Sequence, residues 1–176
     1  RDIPTYMTEA GIDRTNFRQY VHEIMKEKGI KCNCIRCREI KGSEIKGSIK
    51  PEIIEYEASG GKEFFISAVN DDKLIGFCRL RFPGEQLRKE ITKKSAILRE
   101  LHVYGTAVSV GTKGKVQHKG YGKMLLKKAE FIAKGHGKKK MLVISGVGVR
   151  DYYRKFGYKL EGPYMVKILK RRHAVH

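Results

Sequence analysis

The first periodic segment of the chain is amphipathic at helical spacing. Apolar side chains recur every three or four residues, at Phe17, Val21, Ile24 and Met25. This spacing predicts a helix over residues 14–28 that Asp13 caps and Gly29 ends.

The middle of the chain changes to strand periodicity. Residues 53–58 predict a strand, and residues 62–70 and 73–82 predict an antiparallel hairpin. Residues 96–105 predict a long strand, and its alternation places three apolar side chains on one face: Ile97, Leu101 and Val103.

The last third of the chain alternates between strand and helix patterns. Residues 120–134 predict a helix whose apolar face consists of Leu125, Leu126, Ala129, Ile132 and Ala133. A buried strand (139–146), a short helix (149–157) and a closing hairpin (158–169) follow. The order predicts one mixed α/β (α+β) domain, in which helices flank a mixed, mostly antiparallel sheet.

The net charge of the chain indicates which class of partner it binds. The chain has 38 Lys and Arg against 19 Asp and Glu, a formal net charge of +19. Residues 113–140 alone contain ten lysines and one glutamate. Such clustering favours a polyanion partner over an evenly solvated surface. No run approaches the roughly 18 apolar residues of a membrane span, so we expect a cytoplasmic protein without a membrane partner.

Three of the four cysteines lie within six residues, at Cys32, Cys34 and Cys37. Their spacing suits Zn²⁺, which takes four ligands, although three ordinary thiols in a basic turn remain the alternative. The fourth ligand stays open among His22, His102, Cys78 and a group from outside the sequence. The isolated Cys78 is expected to pack in the core.

Two glycines open the predicted helix over residues 120–134. Gln117-x-x-Gly120-x-Gly122 follows a strand, and Lys119 and Lys123 add positive charge. Because a helix start has free N–H groups and glycine allows close approach, the segment predicts an anion site. Neither the dinucleotide-binding fingerprint nor a Walker A loop is present. The alternative is a flexible connection.

The surrounding motifs resemble the GNAT acetyltransferase superfamily. More specifically, "ILRELHVYG", "QHKGYG", "VISGVG" and "DYYRKFGYKLEGPYMVK" are similar to the acetyltransferase-like domain of the catalytic subunit of Elongator. The resemblance implies a GNAT fold, an acyltransferase that binds acetyl-CoA, and tRNA as the partner. It also implies a radical-SAM domain of the same full-length chain, with S-adenosylmethionine and a 4Fe–4S cluster, which works with this domain in carboxymethylation of the wobble uridine.

The resemblance assigns the cofactor site by position. The pyrophosphate of acetyl-CoA is expected at Gln117, His118, Lys119, Gly120, Tyr121, Gly122 and Lys123. The acetyl carbonyl is expected at a backbone N–H in the segment formed by Leu101, His102, Val103 and Tyr104. Glu100 and His102 flank the expected carbonyl site and are candidates to orient or activate a nucleophile.

Aromatic residues near the C terminus complete the expected site. Tyr153 holds the position of the tyrosine that protonates the CoA thiolate in GNAT enzymes, and Tyr152 precedes it. Of two adjacent tyrosines, only one is expected to take part in the reaction. Tyr164 either lines the same cavity or packs in the core. An asparagine common in GNAT enzymes is absent from the "SGVG" segment, where Ser145 is the candidate substitute.

We therefore expect three regions. Residues 1–50 form an N-terminal helix and a cysteine-rich linker from a radical-SAM domain, residues 51–170 bind acetyl-CoA, and residues 171–176 form a basic tail. Two alternative functions remain: a histone-type lysine acetyltransferase, which the positive charge disfavours, and a non-catalytic, zinc-stabilised RNA-binding module. The sequence leaves the oligomeric state open.

Overall fold

The computed structural model describes residues 16–41, 45, 47–104 and 120–170. The chain divides into two compact units, Arg1–Arg38 and Glu39–His176. None of the described helices is long and apolar enough to cross a membrane.

The N-terminal unit consists of two short helices. The predicted helix is confirmed as α1 (Phe17–Glu27), and α2 (Ile35–Arg38) follows the cysteine segment. Asp13, the expected cap, lies outside the described residues, and Asn16 precedes α1 in a left-handed conformation with φ 63°. No side chain over residues 16–38 is buried. This unit therefore lacks a hydrophobic core within its described part.

The larger unit is built on one mixed sheet. Its strands are β1 (Lys50–Ala58), β2 (Gly61–Asn70), β3 (Lys73–Phe82), β4 (Ser95–Val103), β5 (Lys140–Val143), β6 (Lys159–Glu161) and β7 (Tyr164–Ile168). Among the described residues they are arranged in the order β1-β2-β3-β4-β5-β7-β6. Of these seven described strands, β4 and β5 pair in parallel, and the other neighbours pair antiparallel. Both predicted hairpins, β2–β3 and β6–β7, are confirmed.

Helix α3 (Tyr121–Gly135) covers one face of the sheet. Its five predicted apolar residues are all buried, together with Glu130. They pack with alternate strand residues such as Ile66, Leu98 and Met141. The short α4 (Arg150–Arg154) contributes Tyr153 to the same core. A smaller apolar cluster covers the opposite face with Ile91, Ile97, Leu142, Tyr164 and Val166.

The predicted apolar face of β4 is wrong in one respect. Ile97 belongs to the smaller cluster, whereas Leu101 and Val103 pack against the α3 core. The reason is a register shift: Leu80 pairs with Leu98 but Arg79 pairs with Glu100, which leaves Arg99 as an extra residue. One inserted residue reverses the side-chain alternation beyond it.

Candidate functional site

Strands β4 and β5 separate halfway along β4. Their pairing runs from Ser95↔Lys140 to Leu98↔Val143, and the Ile144 amide donates to the Leu98 carbonyl at 3.0 Å. Beyond this point, β4 has no β5 partner among the described residues.

The free edge of β4 presents backbone donors to the resulting opening. The Tyr104 amide donates to the Ile75 carbonyl of β3 at 2.8 Å. Because inward and outward N–H groups alternate along an antiparallel strand, the N–H groups of Leu101 and Val103 point away from β3. They therefore face the opening between β4 and β5, as the predicted carbonyl-binding role requires.

The first turn of α3 lies at the same end of the sheet. Gly120 precedes it with φ 78°, a conformation that favours glycine, and no side chain caps the helix. The Met124 amide donates to the Gly120 carbonyl at 2.9 Å, which leaves the N–H groups of Tyr121, Gly122 and Lys123 without helical acceptors. No acidic residue lies in this turn. The turn can therefore bind an anion.

Tyr152 closes this end of α3. A Cβ added at Gly122 would lie 2.6 Å from the Tyr152 hydroxyl oxygen and 3.7 Å from Val103 Cγ2. A glycine is therefore required for the tyrosine to lie against the helix start. The structure thus brings together three predicted residues from β4, α3 and α4: Val103, Gly122 and Tyr152.

The two candidate tyrosines have different surroundings. Tyr153 is buried in the core, 5.9 Å from the ring of Tyr158 between centroids, and burial raises its pKa to about 12. Tyr152 is only partly buried, although burial also raises its pKa above the ordinary value. A hydroxyl at the helix start can meet a ligand more readily than one in the core, so the geometry favours Tyr152.

A buried carboxylate that the sequence analysis missed holds α3 in place. Glu130 Oε1 accepts hydrogen bonds from the Tyr158 hydroxyl at 2.8 Å and from Lys167 Nζ at 2.9 Å. Burial and the adjacent carboxylate raise the pKa of Tyr158. A glutamate within the apolar stripe of α3 was the available signal, because such a residue needs a partner when buried.

Other predicted site residues lie elsewhere. Glu100 and His102 are on the β4 face opposite α3, where the His102 ring is 4.6 Å from the Tyr104 ring between centroids. Tyr164 packs in the smaller apolar cluster and does not join Tyr152. Gln117, His118 and Lys119 lie outside the described residues.

The loop after β5 contains polar atoms that fit a ligand. Ser145 Oγ and Arg150 Nε are buried and have no hydrogen-bond partner among the described residues. Val147 and Val149 in the same loop are exposed. A long ligand with amide groups and an anionic end, such as acetyl-CoA, fits the combination of orphaned polar atoms, open strand edge and free helix start.

The cysteine segment gathers a second set of ligands within the N-terminal unit. The ligand atoms of His22, Cys32 and Cys37 all lie within 4.8 Å of one another, and His22 Nε2 is 3.4 Å from Cys37 Sγ. Of the proposed fourth ligands, His22 is thus next to the cysteines. Cys78 is a core thiol as predicted, and burial raises its pKa to about 12.

Arg18, which the sequence analysis missed, stabilises the Cys34 thiolate, whereas burial raises the pKa of the Cys37 thiol. Arg18 Nη2 lies 3.2 Å from both Cys34 Sγ and Cys37 Sγ. The hydrogen bond from Arg18 to Cys34 is the main reason that the pKa of Cys34 falls to about 6. Arg18 and His22 are four residues apart on α1, which was the available signal. The imidazole of His22 and the thiols of Cys32 and Cys37 form a donor set that suits Zn²⁺. Cys34 Sγ, which accepts from Arg18, is not among these three mutually close ligand atoms.

The fold and the helix-start site define an acetyltransferase-type protein, and the comparison of sequences agrees. The profile of the acetyltransferase (GNAT) family matches residues 36–158, and the chain belongs to this family. The predicted GNAT fold is thereby confirmed.

Individual relatives narrow the resemblance to Elongator. The chain is 47% identical to the tRNA uridine(34) acetyltransferase of Methanocaldococcus infernus over 182 residues, covering 96% of this chain and 34% of that protein. It is 45% identical to human Elongator complex protein 3 over 181 residues, covering 97% and 33%. The chain thus spans about a third of the length of these relatives.

A solved structure gives the same picture. Elp3 from M. infernus, with residues 1–46 deleted, superposes with a TM-score of 0.81 at 46% identity, covering 96% of this chain and 43% of that one. The predicted resemblance to the Elongator acetyltransferase domain is confirmed.

Proposed function

We propose that this chain is the acetyl-CoA-binding acyltransferase domain of a tRNA-modifying enzyme. The observation that carries the proposal is the convergence of Val103, Gly122 and Tyr152 where β4 and β5 separate. A family match alone would support the fold rather than the chemistry.

In this proposal each part of the site has a defined role. The N–H groups of Tyr121, Gly122 and Lys123 bind the pyrophosphate of acetyl-CoA, with Gln117, His118 and Lys119 expected to assist. An N–H group of Leu101 or Val103 binds the acetyl carbonyl and stabilises negative charge that develops on its oxygen. When water attacks the acetyl carbon, the C–S bond breaks and acetate forms. Tyr152 donates a proton to the departing CoA thiolate, and the proton lost by the water restores the phenol.

The RNA part of the proposal rests on charge and on relatives. The net charge of +19 suits a polyanion, and relatives of 43–47% identity are called tRNA uridine(34) acetyltransferase or Elongator complex protein 3. A radical-SAM domain, with its S-adenosylmethionine and 4Fe–4S cluster, would supply the remaining chemistry from the part of a longer chain that is absent here.

The cysteine cluster has a structural role in this proposal. Zn²⁺ bound by Cys32, Cys34, Cys37 and His22 would hold α1 and α2 together. No side chain over residues 16–38 is buried, and a unit this small cannot bury enough apolar surface to be stable by itself. A bound metal ion would supply the missing stabilisation. In this proposal residues 1–50 are the zinc-binding region and residues 51–170 are the acetyl-CoA domain.

Release of CoA thiol from acetyl-CoA tests the proposal. We expect release by the purified chain to increase when tRNA is added, with no acetylation of a histone peptide offered in parallel. Tyr152→Phe should lower the tRNA-stimulated rate at least tenfold, whereas Tyr153→Phe should retain most of it. Peptide acetylation without any effect of tRNA would overturn the tRNA assignment, and a fully active Tyr152→Phe would remove its acid role.

A further inference from the structure

The outer side of α3 carries a group of residues that the proposed acetyl-CoA site does not use. The group comprises Lys127, Lys128, Phe131 and Lys134, here called the α3 patch. Phe131 is 70% exposed, and its neighbours at helical spacing are the three lysines. The buried residues of α3 lie on the other side of the helix.

The lysines of the α3 patch have no carboxylate partner among the residues that the structure describes. Glu130 is the sole acid of α3, and it is bound by Tyr158 and Lys167. Within the described part of the chain, none of the three lysines pairs with a carboxylate. By contrast, Lys140 pairs with Glu161, and Lys138 packs over Phe82 and donates to the Lys93 carbonyl. The α3 patch is therefore available to an anionic partner.

The aromatic ring narrows the class of partner. Lys128 Nζ lies 5.5 Å from the centroid of the Phe131 ring, so charge and a flat apolar surface adjoin each other. A simple polyanion would use only the lysines, whereas a nucleic acid with unpaired bases uses both, through phosphate contacts and base stacking. A duplex hides its bases from such a ring.

We propose that the α3 patch binds unpaired nucleotides of an RNA, with a base stacked on Phe131 and phosphates at Lys127, Lys128 and Lys134. The inference rests on the proposed tRNA substrate and specifies where that substrate binds. Phe131 is ten residues beyond Tyr121, about 15 Å along the helix axis at the usual rise. An RNA held there lies close to the anion site at the start of α3.

Tryptophan fluorescence tests this assignment, because the chain contains no tryptophan. Phe131→Trp places a single tryptophan in the α3 patch, and Leu87→Trp places one at an exposed position in the loop before β4. We expect single-stranded oligouridine to quench Phe131→Trp but not Leu87→Trp. Inorganic polyphosphate should bind both variants without quenching. Equal quenching by polyphosphate, or none by oligouridine, would overturn the stacking contact.

Affinity measurements with unmodified tRNA complete the test. Phe131→Ala should weaken binding about tenfold, as loss of one base–aromatic stack predicts. Lys127→Gln with Lys134→Gln should reduce the dependence of log K on log salt by about 1.4. Lys159→Gln, which removes one exposed charge from β6, is the control and should have at most a small effect.

The outcomes separate this inference from the proposed function. Wild-type tRNA binding with no loss in the patch variants contradicts the α3 site and leaves the tRNA substrate intact. Absence of tRNA binding by the wild type contradicts both. Concentration-dependent self-association that Phe131→Ala abolishes would instead assign the face to a second copy of the chain.

Discussion

Glu63 on β2 offers a quantitative test of the sheet that carries the proposed site. Its side chain is 1% exposed and is surrounded by three arginines. Oε1 accepts hydrogen bonds from Arg81 Nη1 at 2.9 Å and Arg99 Nη1 at 2.5 Å, and Oε2 is 3.3 Å from Arg79 Nη2. The cluster joins β2, β3 and β4 on the face opposite α3, and Glu63→Gln would remove its only negative charge.

The pKa of Glu63 sets the expected magnitude. Burial alone would raise the pKa of this carboxyl, but the hydrogen bonds from Arg81, Arg99 and Tyr56 outweigh burial and lower it to about 2. The unfolded pKa is about 4.3, and each unit of difference between the folded and unfolded pKa is equivalent to about 1.4 kcal/mol. The lowered pKa of Glu63 therefore corresponds to about 3 kcal/mol of folding free energy. Because the folded pKa is depressed, the contribution is complete above the unfolded pKa. It is lost as the pH falls towards 2.

Chemical denaturation between pH 2 and pH 7 measures this contribution. We expect the free energy of unfolding of the wild type to exceed that of Glu63→Gln by about 3 kcal/mol above pH 5. This difference should shrink progressively towards pH 2. Glu55→Gln, which removes an exposed pair with Lys62, should change stability by less than about 1 kcal/mol. A difference between wild type and Glu63→Gln that is independent of pH would refute the reasoning.

Three further predictions concern the site and its supports. Gly122→Ala should displace Tyr152 and weaken acetyl-CoA binding about tenfold by calorimetry, whereas Gly135→Ala, which has open space around it, should not. Glu130→Gln should lower the free energy of unfolding in denaturant by about 2–3 kcal/mol, because it leaves Lys167 unpaired. An equal loss from Glu161→Gln, which removes the more exposed partner of Lys140, would contradict this. His22→Ala should lose one equivalent of zinc in a colorimetric metal assay that His102→Ala retains, and retention by both variants would remove His22 as a ligand.

Local patterns predicted most of the fold. Helix α3 has the expected apolar face because five residues at helical spacing can all be buried only on one side. The face of β4 could not be predicted, because the extra residue Arg99 is defined by pairing with β3 and not by the β4 sequence. Register of this kind depends on a partner strand distant in the chain.

The site was predictable as a set of segments but not as a set of contacts. The glycine pattern predicted an anion site, and the structure gives Gly120 a positive φ, a conformation that favours glycine before a helix. Adjacent tyrosines look equivalent in sequence, and only the packing of α4 puts Tyr153 in the core and Tyr152 against Gly122. Glu130 and Glu63 were missed because their partners come from other elements.

The most direct test of the central claim is an NMR titration of the isotopically labelled chain with acetyl-CoA. We predict saturable binding, with the largest amide shifts at Gly122, Lys123 and Val103 and smaller shifts at Glu100 and Tyr164. Saturable binding whose largest shifts lie on the face opposite α3, or no binding at all, would contradict the assignment of acetyl-CoA to the opening between β4 and β5.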